Sequence, residues 1–589
     1  MDVAASSAPM RSRIPLIAGV TLAAVLLRLV LLLGRGDYLA FDEGWYLLLG
    51  RSLWMGQGYE LIGTPHVTLS PLFPALAGAV GRAIGDWVWG GRFVAAVASG
   101  LVVLPVWSLV RRWSGERIAL VVAVLFAVTP SMAPFVAAYW IGADLWVGAE
   151  PLLHLGLFAG LACWARASED GGRRWWAATG LTLAAAFLAR PEALGVLGLL
   201  GLWSAVSAWQ RRSRAVALGT ALMLATFVLV AAPYWFRLHT VTGTWRLTGR
   251  EIDAASALRL ADPGARSAAT DIERMLLADD GAYETRLYSL DASGLRLQSE
   301  YWGVPQPVTP PTGASPVPPP TPTPAPTPLP APEAAATADQ SAPAIGTAIR
   351  VAATTLLPVW SWVLVLLGGL ATMRRPRSVS ERGATVALLG TSLTIGVVAA
   401  VDARTQLFLV PLLLLWMVRG LELTAGVVEA RLTGIRPGFV RRVALVGVAA
   451  AGLGTLGWQL RMSLVVGSPH HVVGSQNREV AERLGGLLDG RPGPVASWHP
   501  AIAVFADRDW RPLPLAMLAP TVRFEQAAGA VAMVLSAYYP PTRGQELFGT
   551  RYTVIPVPQG PPVVADWTLQ RVDADSLITR AVVVRPVTP

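Results

Sequence analysis

Lysine is absent from this 589-residue sequence, and cysteine occurs once, at Cys163. A single cysteine excludes an intrachain disulfide and a thiolate metal site. Its place inside an apolar segment reads as a small packed side chain. All 48 basic residues are arginine, so any basic side chain that meets a phosphate must be Arg. Charge is also scarce, at 15% of residues, where soluble proteins carry roughly 25%. The net charge is +10, but the arginines gather at the ends of apolar segments. That is an anchoring pattern and not the basic face of a nucleic-acid-binding domain. In the C-terminal tail, from about Asn477, no glycine-rich phosphate loop joins a strand to a helix, so a nucleotide site there has little support.

What the chain has in abundance is apolar sequence: 53% hydrophobic residues and a mean hydropathy of +0.48. The fold class this implies is a polytopic α-helical membrane protein. Arg11 and Arg13 precede an apolar stretch over 14–33, long enough to span a bilayer and too long for a signal-peptide core. Arg28 interrupts it, placed to snorkel or to pair with an acid. Further spans are expected near 92–110, 117–136, 149–165, 175–189, 192–208, 215–234, 350–371, 384–401, 405–420 and 442–461. The arginine clusters at 111–112, 166–174, 211–214, 374–377 and 431–442 then share one side with the N-terminus. About eleven spans alternate in accord with the positive-inside rule, which puts the C-terminus outside. The Pro-broken segment 70–85 reads as a juxtamembrane or re-entrant helix.

Four regions follow from this pattern: an N-terminal transmembrane module (1–235), an outer loop with a Pro/Thr-rich linker (236–345), a second transmembrane module (346–466) and an extracytoplasmic tail (467–589). The linker has the composition of a disordered or polyproline segment. The tail changes to a soluble α/β pattern, with a helix at "NREVAERLGGLLDG" and short strands at "GPVASW", "AMVLSAYY", "RYTVIPV" and "RAVVVRP".

The chemistry-bearing residues fall in the outer segments. Asp42 and Glu43 follow the first span and open a stretch, "GWYLLLGRSLWMGQGY", that reads as an amphipathic interface helix. A carboxylate held at a helix N-terminus is favoured by the dipole and can accept a proton from a hydroxyl or amine. Asp144 and Glu150 lie in the second outer loop, with His154 one turn into the following span. Glu150 before Pro151 also suits simple capping. Arg190, beside Glu192, and Arg404, beside Asp402, stand at outer span ends against the positive-inside bias. They suit phosphate clamps or local ion pairs. A carboxylate base with cationic clamps fits displacement of a phosphate leaving group from a lipid-carried substrate.

The motifs "FDEGWYLLLGRSLWMGQGY", "PHVTLSPLFPAL", "GAEPLLHL", "LARPEALG" and "ARTQLFLVPLLLL" resemble, in order and spacing, the membrane glycosyltransferases of the GT-C class. The closer resemblance is to the group of protein O-mannosyltransferases and lipid A aminoarabinose transferases. The resemblance implies inverting sugar transfer from a polyprenyl-phosphate donor to an envelope acceptor on the outer membrane face. By position it implies Asp42 as base, Glu43 as its companion and Glu150 as the second-loop acid. Arg190 and Arg404 take the places near the donor phosphate, and His66 and Tyr59 those of acceptor or donor contacts. Ala149, where relatives carry a hydroxyl residue, and Thr405-Gln406, where an aromatic follows the Arg, depart from the pattern. An oxygen-rich divalent-cation site from Asp42, Glu43, Glu150 and His66 is left open. Competing readings are a flippase for lipid-linked sugars, which predicts internal repeats, and an inactive envelope scaffold.

Overall fold

The computed structural model describes residues 14–33, 39, 41–61, 64–128, 148–249, 288–291, 294–297, 361–374, 378–398, 407–432 and 436–461. In the tail it describes parts of 478–512 and the strands at 532–536, 552–556, 563–572 and 576–586. Arg404, Asp402 and Asp144, and the Pro/Thr-rich linker, lie outside the described residues.

Helices dominate. α1 (Ile14–Leu33) is followed by α2 (Phe41–Trp54), α3 (Leu72–Ile84), α4 (Trp87–Leu101), α5 (Val103–Ser114) and α6 (Glu116–Val128). Then come α7 (Glu150–Asp170), α8 (Arg173–Ala189), α9 (Ala193–Arg211) and α10 (Arg214–Thr242). The second half adds α11 (Trp362–Arg374), α12 (Val379–Val398), α13 (Val410–Arg431) and α14 (Phe439–Arg461). These helices overlap every expected span, and α4 and α5 join at Val102 into one 28-residue apolar rod. By length and composition alone, five described helical segments are sufficient to cross a membrane, against the eleven expected spans. The starts of the helices have local causes. Asp86 accepts a hydrogen bond from the Trp89 N–H at 2.9 Å to open α4, and Ser213 accepts from Val216 to open α10.

The bundle core is built from α5–α10 and α11–α13, with Phe126, Trp164, Trp176, Phe187, Phe227 and Leu414 among its buried residues. Arg28 in α1 neither snorkels nor reaches the surface. It is fully buried (0% exposed), and its Nε donates to Ser99 Oγ at 2.5 Å. Its Nη1 donates to the carbonyls of Ala24 and Ala127 at 3.1 and 3.0 Å. The guanidinium thus fastens α1 to α4 and to the end of α6. A buried cation on a spanning helix needs such polar partners, because lipid supplies none.

The helices run back and forth between two ends. At one end Arg112 of α5 pairs with Glu169 and Asp170 of α7 at 2.8 and 2.7 Å. Nearby, Arg419 of α13 pairs with buried Glu381 of α12 and donates to Thr372 Oγ1 (2.7 Å) and Ser114 Oγ (2.6 Å). At the opposite end lie α2, α3, the start of α7, the α8–α9 turn and the end of α10, gathered around a second apolar cluster.

The tail contributes four strands ordered β6–β5–β7–β8: β5 (Val495–Ser497), β6 (Trp510–Pro512), β7 (Ala532–Ser536) and β8 (Tyr552–Pro556). β5 is parallel to both β6 and β7, and β8 is antiparallel to β7. The parallel β5–β6 pair needs a crossover, which the short helix α15 (Pro500–Phe505) provides. A long hairpin, β9 (Val563–Val572) with β10 (Ser576–Pro586), closes the chain.

Candidate active site

The second apolar cluster is the floor of the candidate site. It unites Trp45, Tyr46 and Leu47–Leu49 of α2 with Phe73 and Ala77 of α3, Val88 of α4, Ala149, Ala189, and Ala501, Val504 and Trp510 of the tail. The first part of α2 is therefore enclosed by protein, while Trp54 at its end is 44% exposed. Every described residue from Glu43 to Gly50 is buried.

Asp42 and Glu43 are the second and third residues of α2. The side chain of Asp42 is not among the described ones. Glu43 is 1% exposed.

Glu150 and Arg190 meet. Glu150 is the first residue of α7, and Arg190 caps the C-terminus of α8 in an extended conformation. They are 3% and 4% exposed, and Nη1 of Arg190 donates directly to Oε1 of Glu150. The same guanidinium donates Nε (3.1 Å) and Nη2 (2.6 Å) to Oε1 of Glu192. Burial on its own would depress this guanidinium, but Glu192 and Glu150 overcome it and hold Arg190 well above its ordinary pKa. Tyr46, one turn beyond Glu43, also acts on the charge of Arg190, which places α2 beside the pair. Arg190 is thus engaged by two carboxylates.

Tyr59 and His66 frame the hairpin of β1 (Glu60–Leu61) and β2 (Thr64–Pro65). The Tyr59 hydroxyl contacts the carbonyls of Leu69 and Ser70 at 3.0 and 3.3 Å, and His66 Nε2 accepts the Leu69 N–H at 3.0 Å. A neutral His66 ring therefore carries its proton on Nδ1. Both residues shape this loop. The His66 ring also packs edge-on against Trp45 of α2, with centroids 6.2 Å apart.

Arg237, which the sequence reading passed over, grips the hairpin base. Its Nη1 and Nη2 donate to the carbonyls of His66 and Tyr59 at 2.7 and 2.8 Å, and its guanidinium lies over the Tyr59 ring. The signal was present: Arg237 breaks the positive-inside pattern at a span end, as Arg190 does. His154, a turn beyond Glu150, is buried. Among the described residues no group of three or more His, Cys, Asp or Glu side chains gathers as a metal site.

Residues 68–236 match the family model of dolichyl-phosphate-mannose-protein mannosyltransferases. This match includes Glu150 and Arg190 but not α2. No curated protein matches the chain significantly. Among solved structures the chain is similar to ArnT from Cupriavidus metallidurans bound to undecaprenyl phosphate. The TM-score is 0.55 at 12% identity, over 90% of this chain and 95% of that one. The apo state of the same protein aligns with a TM-score of 0.51 at 12% identity, over 90% and 94%. AglB from Archaeoglobus fulgidus, an archaeal oligosaccharyltransferase in complex with an inhibitory peptide and a dolichol-phosphate, aligns at 0.49 and 12%, over 90% and 70%. The likeness to ArnT establishes the fold, and with the family match it bears out the resemblance to GT-C membrane glycosyltransferases.

Proposed function

We propose that this protein is a membrane glycosyltransferase. It moves a sugar from a polyprenyl-phosphate donor to an envelope acceptor on the outer face, with inversion. The observation that carries the reading is the gathering of helix α2, the Glu150–Arg190 pair and the Tyr59–His66 hairpin at one end of a GT-C bundle. The arginine-rich turns at the opposite end supply the orientation by the positive-inside rule. That ArnT was solved with undecaprenyl phosphate supports a lipid-phosphate donor for this fold.

In this reading Asp42 takes the proton of the acceptor nucleophile as that atom attacks the anomeric carbon. The bond from that carbon to the phosphate oxygen breaks, and its electron pair leaves with the phosphate. One displacement inverts the centre. Glu43, buried beside Asp42 in the chain, holds the acid-bearing turn. Glu150, fixed by Arg190, carries the second negative charge of the site. Arg404 is assigned to the departing phosphate, where a guanidinium stabilises the developing charge. The residues do not gather a described metal site, and no step is assigned to a divalent cation.

The test is transfer from a polyprenyl-phosphate sugar by the full-length protein in membranes. Asp42→Asn is expected to lower turnover by about 10²–10⁴-fold, the usual worth of a general base. Undiminished turnover in that variant would remove Asp42 from the role.

A further inference from the structure

The tail does not hang beside the bundle; it is seated on the back of the acid-bearing helix. Gly44 and Arg51 are seven residues apart, which puts them on one face of α2. That face meets the tail. A Cβ on Gly44 would lie 2.6 Å from Cγ of Pro500, the first residue of α15. Two turns on, Arg51 Nε donates to Asp507 Oδ1 at 2.9 Å, Nη1 to Asp509 Oδ1 at 2.7 Å and Nη2 to the Asp507 carbonyl at 3.2 Å. The same Asp507 carboxylate accepts from Trp87 Nε1, the first residue of α4, at 3.2 Å. Asp507 makes these contacts from a left-handed backbone conformation, with φ of 50°. A non-glycine residue is seldom held there unless its surroundings demand it. Between the two contact points, Trp45 packs against Trp510 of β6, with ring centroids 6.2 Å apart.

From these contacts we infer that the tail is a working part of the active site: Arg51, Asp507 and Asp509, with the Gly44–Pro500 contact, fix the position of α2 and thereby of its acids. Arg51 and Asp507 are positioning residues. The argument rests on the proposed transferase reading for its catalytic half, but the docking contacts stand on their own geometry. One guanidinium reads two carboxylates and a carbonyl, a fork geometry that sets both the rotation and the axial height of a helix. Small displacements of a catalytic group have large kinetic consequences, and substrate affinity made elsewhere is spared.

The experiment uses the full-length protein in detergent or nanodiscs. Three variants are compared with the unaltered chain: Asp507→Asn with Asp509→Asn, Gly44→Ala, and Gly44→Ala with Pro500→Gly. Asn tolerates the left-handed conformation, so the first removes charge without removing the turn. Amide hydrogen exchange over residues 43–54 is expected to rise in the first two variants. Turnover is expected to fall about 10- to 100-fold, with KM for the lipid donor within about twofold. Pro500→Gly is expected to return at least half of the turnover lost to Gly44→Ala. Unchanged exchange across α2 overturns the inference, and so does raised exchange with unchanged turnover. If the unaltered protein transfers no sugar, the transferase reading falls, and the exchange measurement alone decides whether the tail holds α2.

Discussion

Arg190 faces two carboxylates in a site nearly closed to solvent. Removing one member of a buried ion pair costs about 3–5 kcal/mol. Arg190→Met is therefore expected to lower the thermal midpoint in detergent far more than Glu192→Gln, whose carboxylate is the more exposed of the two. The pH dependence of the Arg190 contribution follows from the direction of its shift. A group raised in the folded state stabilises fully below its unfolded pKa and loses that effect only above its folded one. The midpoint difference between Arg190→Met and the unaltered chain should stay flat from about pH 6 to about pH 9, outside the usual carboxylate and arginine ranges. Sloping data would mean that another group titrates with the cluster. Sequence alone identified Glu150 and Arg190 as candidates, because charge is rare at span ends, and offered Glu192 as a local ion-pair partner of Arg190. It could not say that Glu150 and Arg190 meet, since a helical hairpin separates them. Tyr59 and His66 were legible as residues of the site end but not as loop-builders, because their partners are backbone atoms, which carry no residue-specific signal.

At the scale of elements, α2 is more enclosed than its sequence suggested. Its apolar residues Trp45–Leu49 are consecutive, so they cover every face of that part of the helix, and all are buried. The surface it needs is provided by a close crossing with α3. A Cβ on Gly78 would come within 2.4 Å of the Gly50 carbonyl oxygen, and one on Gly50 within 2.5 Å of the Pro74 carbonyl oxygen. Both obstructions are backbone, so neither can swing away. Gly78→Val is expected to push α3 from α2, lowering the thermal midpoint and, in the transferase reading, turnover. A normal midpoint with normal turnover would mean that the crossing is looser than these distances imply. The long helices were easier to read. Hydropathy and terminal arginines located α1, α7, α8 and α9 within a few residues, because those signals are local, while α10 and α13 run well past their expected ends. β6 and β9 were missed, being short or mixed in polarity.

At the scale of the molecule, two polar ends face away from each other. One is tied by Arg112 and Arg419 and the other by Arg190, Arg237 and Arg51. The orientation predicted from charge has a direct test, helped by the single native cysteine. In a Cys163→Ala background, Glu482→Cys should react with a membrane-impermeant thiol reagent on intact cells, and Arg174→Cys only after lysis. The reverse pattern would invert the topology and remove the outer-face site. Glu381→Gln should loosen the opposite end, where buried Arg419 would lose its counter-charge at a cost of about 3–5 kcal/mol. A midpoint unchanged by that substitution would show that the serine and threonine contacts suffice. The helical character of the apolar segments was legible because hydropathy records it locally. The seating of the tail on α2 was not, because contacts between residues some 450 positions apart leave no periodicity in either segment.

The hold of Arg237 on the hairpin has a further consequence. It grasps two main-chain carbonyls at the base, at Tyr59 and His66, and feels the charge of Glu60 between them. The two carbonyl bonds do not depend on which side chains the hairpin carries. A segment fastened in this way is moored by its main chain, like a handle bolted at its ends. In the transferase reading, Glu60→Gln should alter donor or acceptor use and leave the two carbonyl bonds of Arg237 in place.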